Sequence, residues 1–248
     1  MSNTVLITGA TAGFGEAAAR KFAGEGWRVI GTGRRGERLR ALGDELGDRF
    51  LGLEIDMRDH AAVESLAELD GDWGAIDLLI NNAGLAPPMG GISDSDWDRI
   101  ATVLDTNITG LVALTRALLP KLIERKGAII NLSSVAATYP YKGGAVYAGT
   151  KAFVHQFSLD LRCDLAGTGV RVTSVEPGMA ETEFTIVRTG GDKAASDALY
   201  AGMDPMTPQD FADLFWWIAT LPPHLNVNII ELMPVSQSWA GFTVTREA

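Results

Sequence analysis

The sequence predicts an α/β fold in which helices cover both faces of one doubly wound, mostly parallel sheet. Two observations carry this prediction. Short apolar, β-branched runs alternate with longer segments of helical periodicity along the whole chain, which is the order that βαβ units produce. In addition, the first apolar run ends in a glycine-rich loop that leads directly into a helical segment.

The N-terminal half contains four short runs rich in Val, Ile and Leu, as expected of strands that are buried on both faces. They predict strands at residues 4–7, 28–32, 50–55 and 76–80. Segments of helical periodicity follow the first three of them, at residues 16–25, 36–46 and 61–69.

The C-terminal half continues the alternation. The Ser-Asp-Ser-Asp segment at residues 93–96 resembles an N-cap signal and predicts a long helical region that ends at residue 125, which a break near residues 107–110 would divide. Thr207 and Pro208 mark another helix start, because threonine caps well and proline fits the first helical position. The remaining predictions are strands at 127–132, 170–175 and 226–232 and a helix at 144–166.

Composition limits the class of protein. We expect a single domain over residues 1–248, because no linker or charge block divides the chain. A net charge of −10 argues against binding to nucleic acid or to anionic membranes. No basic leader precedes the first strand, and no apolar run approaches the length of a spanning helix. The only cysteine, Cys163, cannot form an internal disulfide and is expected to be a packing residue of a cytoplasmic protein.

The glycine-rich loop predicts a Rossmann-like dinucleotide site. Its glycines would let the backbone approach a pyrophosphate that faces the N-terminus of the following helix. The spacing is Gly-x-x-x-Gly-x-Gly instead of the usual Gly-x-Gly-x-x-Gly, and plain turn chemistry is the alternative. Cofactor contacts are expected from Gly9, Thr11, Ala12, Gly13, Phe14 and Gly15.

The end of the second strand indicates which dinucleotide is bound. NAD-binding folds place an acid here, about 20 residues beyond the glycine loop, to accept a hydrogen bond from the ribose 2′-hydroxyl. This chain has Gly33 at that position, followed by Arg34 and Arg35, whose guanidinium groups would attract a 2′-phosphate. The sequence therefore favours NADP(H), although both arginines could simply begin a solvated helix.

Ser134, Tyr147 and Lys151 form a candidate catalytic set. Tyr147 and Lys151 would lie one turn apart on the same face of a helix opened by Gly143 and Gly144. The ammonium group is expected to lower the pKa of the tyrosine, which could then exchange a proton with an alcohol or carbonyl oxygen. Ser134, at the end of a predicted strand, could donate a hydrogen bond to the same oxygen. Alone, the Tyr-x-x-x-Lys spacing could equally describe a solvated helix face.

These motifs, together with residues 81–84, Asn107 and Pro177-Gly178, follow the order found in the short-chain dehydrogenase/reductases, and the chain is identified as a member of that family by resemblance. A closer resemblance is to bacterial NADP-dependent 3-hydroxy acid dehydrogenases acting on serine or allo-threonine, and to sulfoacetaldehyde reductases. It is carried by residues 9–15, 32–35, 147–153 and 233–241.

The resemblance implies further roles. Asn107 would hold a water near the lysine, Lys151 would also bind the nicotinamide ribose, and Asp56 would accept from the adenine amino group or cap the turn at residues 58–60. Other implied cofactor contacts are Met57, Asn82, Ala83, Gly84, Tyr147, Pro177, Gly178, Met179 and Thr182. The family also implies a homotetramer.

Residues 179–204 have little strand signal and include a flexible Thr-Gly-Gly-Asp segment, which is typical of a substrate loop or lid. Arg188 lies in this loop and could bind a substrate carboxylate or sulfonate, or remain a solvated charge. The three histidines, His60, His155 and His224, lack metal-ligand spacing, so we expect no metal.

The sequence therefore predicts an NADP(H)-dependent oxidoreductase that interconverts a small acidic 3-hydroxy compound and its carbonyl, with Ser134, Tyr147 and Arg188 contacting the substrate. A sulfoacetaldehyde reductase is the main alternative. A nucleotide-binding sensor on the same fold is disfavoured by the intact Ser-Tyr-Lys set. A sugar-nucleotide epimerase would need a larger C-terminal substrate region than residues 205–248 provide.

Overall fold

A computed structural model describes residues 3–88 and 90–239 of the chain. Within these residues seven parallel strands form one sheet in the order β3-β2-β1-β4-β5-β6-β7, which confirms the predicted fold class. The strands are β1 (Thr4–Thr8), β2 (Arg28–Gly33), β3 (Phe50–Glu54), β4 (Ile76–Asn81), β5 (Ala128–Leu132), β6 (Arg171–Pro177) and β7 (Ile229–Leu232).

Helices lie on both faces of the sheet. They are α1 (Gly13–Gly24), α2 (Gly36–Leu46), α3 (His60–Ser65), α4 (Gly71–Gly74), α5 (Trp97–Leu104), α6 (Gly110–Arg125), α7 (Ala145–Asp164), α8 (Glu183–Arg188), α9 (Lys193–Tyr200) and α10 (Pro208–Ala219). One apolar core packs α1, α2 and α10 against the sheet around Phe22, Phe211 and Phe215, which are all fully buried. The opposite core packs α3, α6 and α7 around Leu114, Leu118 and Leu122.

The helix-start predictions agree with the structure. Asp96 caps α5 by accepting from the amides of Asp98 and Arg99. Thr207 and Asp210 form a reciprocal capping box at the start of α10, with Pro208 at its first position. The predicted break in the long helical region is a π-helical turn, Asp105–Thr109, between α5 and α6.

Some predictions about local structure are wrong. Within the segment predicted as a substrate loop, residues 179–204, the structure has two short helices, α8 and α9, that the sequence analysis did not predict. The last strand has four residues instead of seven, since the preceding chain forms a loop held by Asn226. Cys163 is exposed and does not pack in the interior. A contact that the sequence did not indicate is the pairing of His155 with the buried carboxylate of Glu176 at 2.5 Å.

Two negative findings apply to the described residues alone. No helix among them is both long enough and apolar enough to cross a membrane. Nor do they contain a group of three or more His, Cys, Asp or Glu side chains that could hold a metal ion.

Candidate active site

The strand order reverses between β1 and β4, and a crevice of about 1570 Å³ opens at the carboxyl ends of the strands there. The crevice is lined by every predicted cofactor and substrate residue except Gly15, and by every predicted catalytic residue except Asn107. These two residues lie behind its wall, as described below. Residues that are far apart in the sequence therefore meet in one place.

The glycine loop between β1 and α1 is shaped by close backbone contacts. Gly9 and Gly13 have φ values of +71° and +55°, which favour glycine. A Cβ atom on Gly15 would lie 2.4 Å from the Gly9 carbonyl oxygen and 2.6 Å from the Asn82 amide nitrogen. Ala12, the N-cap residue of α1, has no polar side chain that could accept from the first amides of the helix. The first residues of α1, Gly13 and Phe14, line the crevice, so an anion such as a pyrophosphate could accept from uncapped helix amides there.

Asn82 and Ala83, two of the predicted residues that follow β4, hydrogen bond to Thr8 at the start of the glycine loop. The Asn82 side chain donates to the Thr8 carbonyl at 2.8 Å, and the Thr8 hydroxyl accepts from the amides of Asn82 and Ala83 at 3.0 and 2.9 Å. Gly84 lies beside Lys151, because a Cβ atom there would be 3.4 Å from the lysine nitrogen. These contacts fix the spacing between β1 and β4 at the point where the crevice opens.

The two arginines that follow β2 have different environments. Arg34 is exposed, lines the crevice and makes no hydrogen bond or ion pair within the part of the chain described; it contributes positive charge near Asp56. Arg35 instead donates to the Thr11 hydroxyl at 3.1 and 2.9 Å and to Glu183 at 2.7 Å. Of the two, Arg34 is the guanidinium that remains available to a 2′-phosphate.

Asp56 follows β3 and does not cap the next helix. Its carboxylate accepts from the Arg58 side chain at 2.6 Å, and Arg58 lowers its pKa through that hydrogen bond. The cap of α3 is Asp59, which accepts from the Ala62 amide. Asp56 does cap the turn that precedes α3, because its Oδ1 also accepts from the Arg58 backbone amide at 3.0 Å, and its carboxylate lines the crevice beside Met57.

The three predicted catalytic side chains lie together at the other end of the crevice. Tyr147 and Lys151 lie on the same face of α7, with the ammonium 5.7 Å from the tyrosine ring centre. The Ser134 side chain lies close enough to Tyr147 to oppose the rise in the pKa of the tyrosine, and its hydroxyl donates to the Pro177 carbonyl at 3.3 Å. Lys151 donates to the Leu132 carbonyl at 2.6 Å and is 5% exposed. A substrate oxygen between Ser134 and Tyr147 would meet two hydroxyl groups.

The pKa values differ from the expectation. Burial raises the pKa of Tyr147 to about 12, opposed by the Ser134 hydrogen bond and the charge of Arg188. Burial also lowers the pKa of Lys151 to about 8, so the ammonium itself is costly in this site. The prediction that Lys151 lowers the pKa of Tyr147 is therefore wrong for this state of the protein: the tyrosine is a neutral phenol, ready to donate a proton.

Asn107 lies in the π-helical turn between α5 and α6, a helix irregularity that is frequent at functional sites. The Asn107 side-chain oxygen accepts from the Leu85 backbone amide at 2.8 Å. Its side-chain nitrogen donates to the Leu85 carbonyl at 2.8 Å and to the Thr150 hydroxyl at 2.9 Å. Asn107 thus joins the loop after β4 to α7. It is 1% exposed and lies behind Lys151.

Arg188 lies at the C-terminal end of α8, over Tyr147. Its guanidinium carbon is 5.7 Å from the Tyr147 ring centre and 5.4 Å from that of Tyr141, and one of its nitrogens donates to the Tyr141 hydroxyl at 2.9 Å. The Arg188 Nε is buried without a hydrogen-bond partner among the described residues. An unsatisfied cationic donor beside the reacting hydroxyls is suited to an anionic group of the substrate.

Four further residues border the site and were not predicted. Phe184 packs on the Tyr147 ring at 5.6 Å, and Glu183 holds Arg35. The Gln237 side-chain oxygen accepts from the Met179 amide at 2.6 Å. The same oxygen packs against Gly178, where a Cβ atom would lie only 2.3 Å from it. Only the family resemblance of residues 233–241 drew attention to this segment; Ala240 and Gly241 lie outside the described residues. Tyr141 had no sequence signal.

Thr182, Met179 and Pro177 also line the crevice. The Thr182 hydroxyl accepts from the Phe184 amide and caps α8, and its side chain approaches Gly13 across the crevice. The family resemblance implied that Thr182 contacts the cofactor. In the structure it is at the point where the lid joins the glycine loop.

Comparison with known proteins agrees with this geometry. Residues 3–191 match the family described as short chain dehydrogenase. The chain is 59% identical over its whole length to serine 3-dehydrogenase of Agrobacterium fabrum, which it also covers completely. It is 54% identical to sulfoacetaldehyde reductase 2 of Chromohalobacter salexigens, again with 100% of both chains covered. With NADP-dependent 3-hydroxy acid dehydrogenase of Escherichia coli K12 it shares 51% identity, covering 98% and 99% of the two chains.

Among solved structures, the closed form of a serine dehydrogenase complexed with NADP+ superposes with a TM-score of 0.96 at 51% identity. The match covers 98% of this chain and 100% of that one. The predicted kinship with 3-hydroxy acid dehydrogenases and sulfoacetaldehyde reductases is thereby confirmed.

Proposed function

The chain belongs to the short-chain dehydrogenase family, and we propose that it is an NADP(H)-dependent oxidoreductase that interconverts a small acidic 3-hydroxy compound and its carbonyl. The observation that carries the substrate class is the position of Arg188. Its partly unsatisfied guanidinium faces the same space as the hydroxyls of Ser134 and Tyr147. A 3-hydroxy acid of the serine or allo-threonine type places a carboxylate two carbons from the reacting carbon.

The residues present fit NADP(H). Gly9, Thr11, Ala12 and Gly13 of the glycine loop line the crevice at the start of α1, where a pyrophosphate would lie, and Arg34 is available for a 2′-phosphate. Gly84 and Gly178 leave room along the rest of the crevice. The cofactor supplies the hydride when it is bound.

In the reducing direction the chain's own residues handle the oxygen and the proton. Ser134 donates a hydrogen bond that polarises the carbonyl oxygen, and Arg188 holds the substrate anion. Tyr147, which its raised pKa keeps protonated at neutral pH, transfers its proton to that oxygen as the C–H bond forms. Lys151 then lies close enough to stabilise the phenolate, and Asn107 holds the surrounding backbone. Oxidation follows the same steps in reverse.

A sulfoacetaldehyde reductase is the second candidate. The relative from Chromohalobacter salexigens bears that name at 54% identity, and a guanidinium can bind a sulfonate as well as a carboxylate. The complete Ser134, Tyr147 and Lys151 set argues against a sensor that only binds nucleotide.

The experiment is a panel of hydroxy acids, hydroxysulfonates, their aldehydes and simple neutral aldehydes, followed at the nicotinamide absorbance with the wild type and Arg188→Ala. Because a charge-assisted hydrogen bond contributes roughly 1.5–3 kcal/mol, we expect the Michaelis constant for acidic substrates to rise about tenfold or more. Neutral aldehydes and NADPH affinity should change little. The matched control is Lys193→Ala, a lid cation whose partner is Asp197 on the same helix.

Equal losses of Arg188→Ala on charged and neutral substrates would mean that Arg188 orders the lid and does not bind the anion. A preference for sulfonates over carboxylates in the wild type would favour the second candidate. Absence of turnover with every compound and either nicotinamide cofactor would contradict the proposed oxidoreductase activity itself.

We also propose that the protein is a cytoplasmic homotetramer. Large apolar side chains are exposed on α7 and α10: Phe153 is 37% exposed and stacks on Phe157, and Trp217 is 50% exposed. Such side chains suit subunit contacts. The exposed free thiol of Cys163 suits a reducing compartment. Light scattering of the purified protein gives the subunit number, and a monomeric mass at micromolar concentration would contradict it.

A further inference from the structure

The two ends of α8 are fixed to the two ends of the crevice. Arg188, its last residue, lies over Tyr147 at the substrate end. Glu183, its first residue, contacts the arginines at the adenosine end. A helix of six residues, about 9 Å long, does not hold its own position in water, so these tertiary contacts determine where Arg188 points.

Glu183 forms a bridged ion-pair cluster that we call the lid latch, consisting of Glu183, Arg35 and Arg38. One Arg35 nitrogen donates to Glu183 at 2.7 Å, and one Arg38 nitrogen donates to both carboxylate oxygens at 2.8 Å. Both arginines lower the pKa of Glu183, with the Arg35 hydrogen bond as the largest cause, so its carboxylate is charged at neutral pH.

The arginines of the latch are themselves anchored to the glycine loop. Arg35 donates two hydrogen bonds to the Thr11 hydroxyl, at 3.1 and 2.9 Å, and Arg38 donates to the Thr11 carbonyl at 3.1 Å. Glu183 is therefore tied through two side chains to a single residue of the cofactor loop. The ion pair of Arg35 with Glu183 joins residues that are 148 positions apart in the sequence.

We propose that Glu183 is a positioning residue for the acidic substrate: the lid latch fixes α8 against the cofactor loop and thereby holds Arg188 over Tyr147. This inference rests on the proposed role of Arg188 in binding the substrate anion. Phe184, the next residue of α8, packs on the Tyr147 ring at 5.6 Å, so a shift of the helix start is transmitted to the substrate end.

The test is a double-mutant cycle between Glu183→Gln and Arg188→Ala, measured with one acidic and one neutral substrate. Glutamine keeps the size of the side chain and removes its charge. Because the latch is partly exposed, we expect Glu183→Gln to raise the Michaelis constant for the acidic substrate about three- to tenfold, with kcat and the neutral substrate changed less than about twofold. In the Arg188→Ala background the same change should have no further effect.

Glu181→Gln is the matched control, because Glu181 is an exposed acid of the same lid that does not contact Arg35 or Arg38 in the described structure. It should leave both Michaelis constants unchanged. Glu183→Asp keeps the charge on a shorter side chain and should give a smaller increase than Glu183→Gln. If Glu183→Gln does not fold, the aspartate variant carries the same test.

The possible outcomes separate the two proposals. If Arg188→Ala has no selective effect on the acidic substrate, the proposed anion site fails. If Arg188→Ala is selective but Glu183→Gln is not, or if their effects multiply independently, the anion site stands and the latch is overturned. A change in NADPH affinity alone would also overturn it, because Glu183 would then act on the cofactor and not through Arg188.

Discussion

At the scale of single residues, the site combines a buried phenol with a buried amine, and burial disfavours the charged form of each. Tyr147 stays protonated up to a pKa of about 12, whereas Lys151 loses its proton at a pKa of about 8. At neutral pH the phenol of Tyr147 is therefore protonated. The cost of holding Lys151 charged is expected to appear in the stability of the fold.

Replacement of Tyr147 by phenylalanine removes the exchangeable proton and keeps the ring that packs on Phe184. General acid catalysis typically contributes 10²–10⁴-fold, so we expect kcat for Tyr147→Phe to fall by about that factor. NADPH affinity and the melting temperature should remain close to the wild-type values. Near-normal turnover in stopped-flow or steady-state assays would remove Tyr147 from the chemistry.

Replacement of Lys151 by methionine should abolish turnover and stabilise the protein at pH 7. Since burial lowers the lysine pKa from 10.5 to about 8, the unfolded wild-type chain binds more protons than the folded one between these pH values. The wild-type free energy of unfolding therefore rises with pH across this window, and is lowest relative to the variant below pH 8. We expect a gain of about 1–2 kcal/mol for Lys151→Met at pH 7, after loss of the Leu132 hydrogen bond.

The measurement is urea unfolding of both proteins at several pH values between 7 and 10. The stability difference should shrink as the pH rises and the wild-type lysine becomes neutral. A difference that is constant over this range would show that Lys151 has an ordinary pKa in the folded protein.

At the scale of elements, the strands could be predicted to within a few residues, because those buried on both faces are nearly continuous apolar runs such as residues 76–80. The lid helices α8 and α9 could not be predicted from the sequence. Neither α8 nor α9 exceeds eight residues, and both are held by contacts that a local pattern does not encode. An example is the cluster in which the Tyr200 hydroxyl meets Thr185 and the Ala180 carbonyl.

The same division holds for the site. The glycine loop and the pairing of Tyr147 with Lys151 are local motifs, so their geometry follows from a strand, a turn and a helix. The roles of Arg35 and Arg188 depend on partners that the fold brings from afar, namely Glu183 and Tyr141. The pKa of Tyr147 depends on burial, which a spacing argument cannot supply.

The glycine loop offers a matched pair of substitutions within α1. A Cβ atom on Gly15 would lie 2.4 Å from the Gly9 carbonyl oxygen, and the backbone would have to move to relieve this contact. We therefore expect Gly15→Ala to lower the free energy of unfolding by about 2 kcal/mol or more and to weaken NADPH binding. Gly24 is exposed, with no neighbouring atom within 4 Å of such a Cβ atom. Gly24→Ala should therefore raise stability by roughly 0.5–1 kcal/mol. Similar effects of both changes on chemical denaturation would contradict the close approach of the loops.

At the scale of the whole molecule, the sheet order β3-β2-β1-β4-β5-β6-β7 divides the crevice into two halves. The ends of β1, β2 and β3 carry the glycine loop, Arg34 and Asp56, whereas those of β4, β5 and β6 carry Asn82, Ser134 and Pro177. A ligand long enough to reach both halves, such as a dinucleotide, contacts segments from most of the fold. Its binding should therefore stabilise the molecule as a unit.

This stabilisation gives a direct test of cofactor choice. A ligand at 100 times its dissociation constant adds about 2.7 kcal/mol to the folded state, which raises the melting temperature of a chain this size by roughly 5–10 °C. At equal concentrations we expect a larger rise in melting temperature with NADP+ than with NAD+, because Arg34 has no other ion-pair partner among the described residues.

Arg34→Asp should reverse the order of the two cofactors, since the new carboxylate repels a 2′-phosphate and can accept from a ribose hydroxyl. Arg40→Asp, at an exposed position of α2 outside the crevice, makes the same charge change and should preserve the wild-type order. If Arg34→Asp still melts higher with NADP+, the 2′-phosphate is bound elsewhere, and Arg35 and Arg38 of the lid latch become its next candidates.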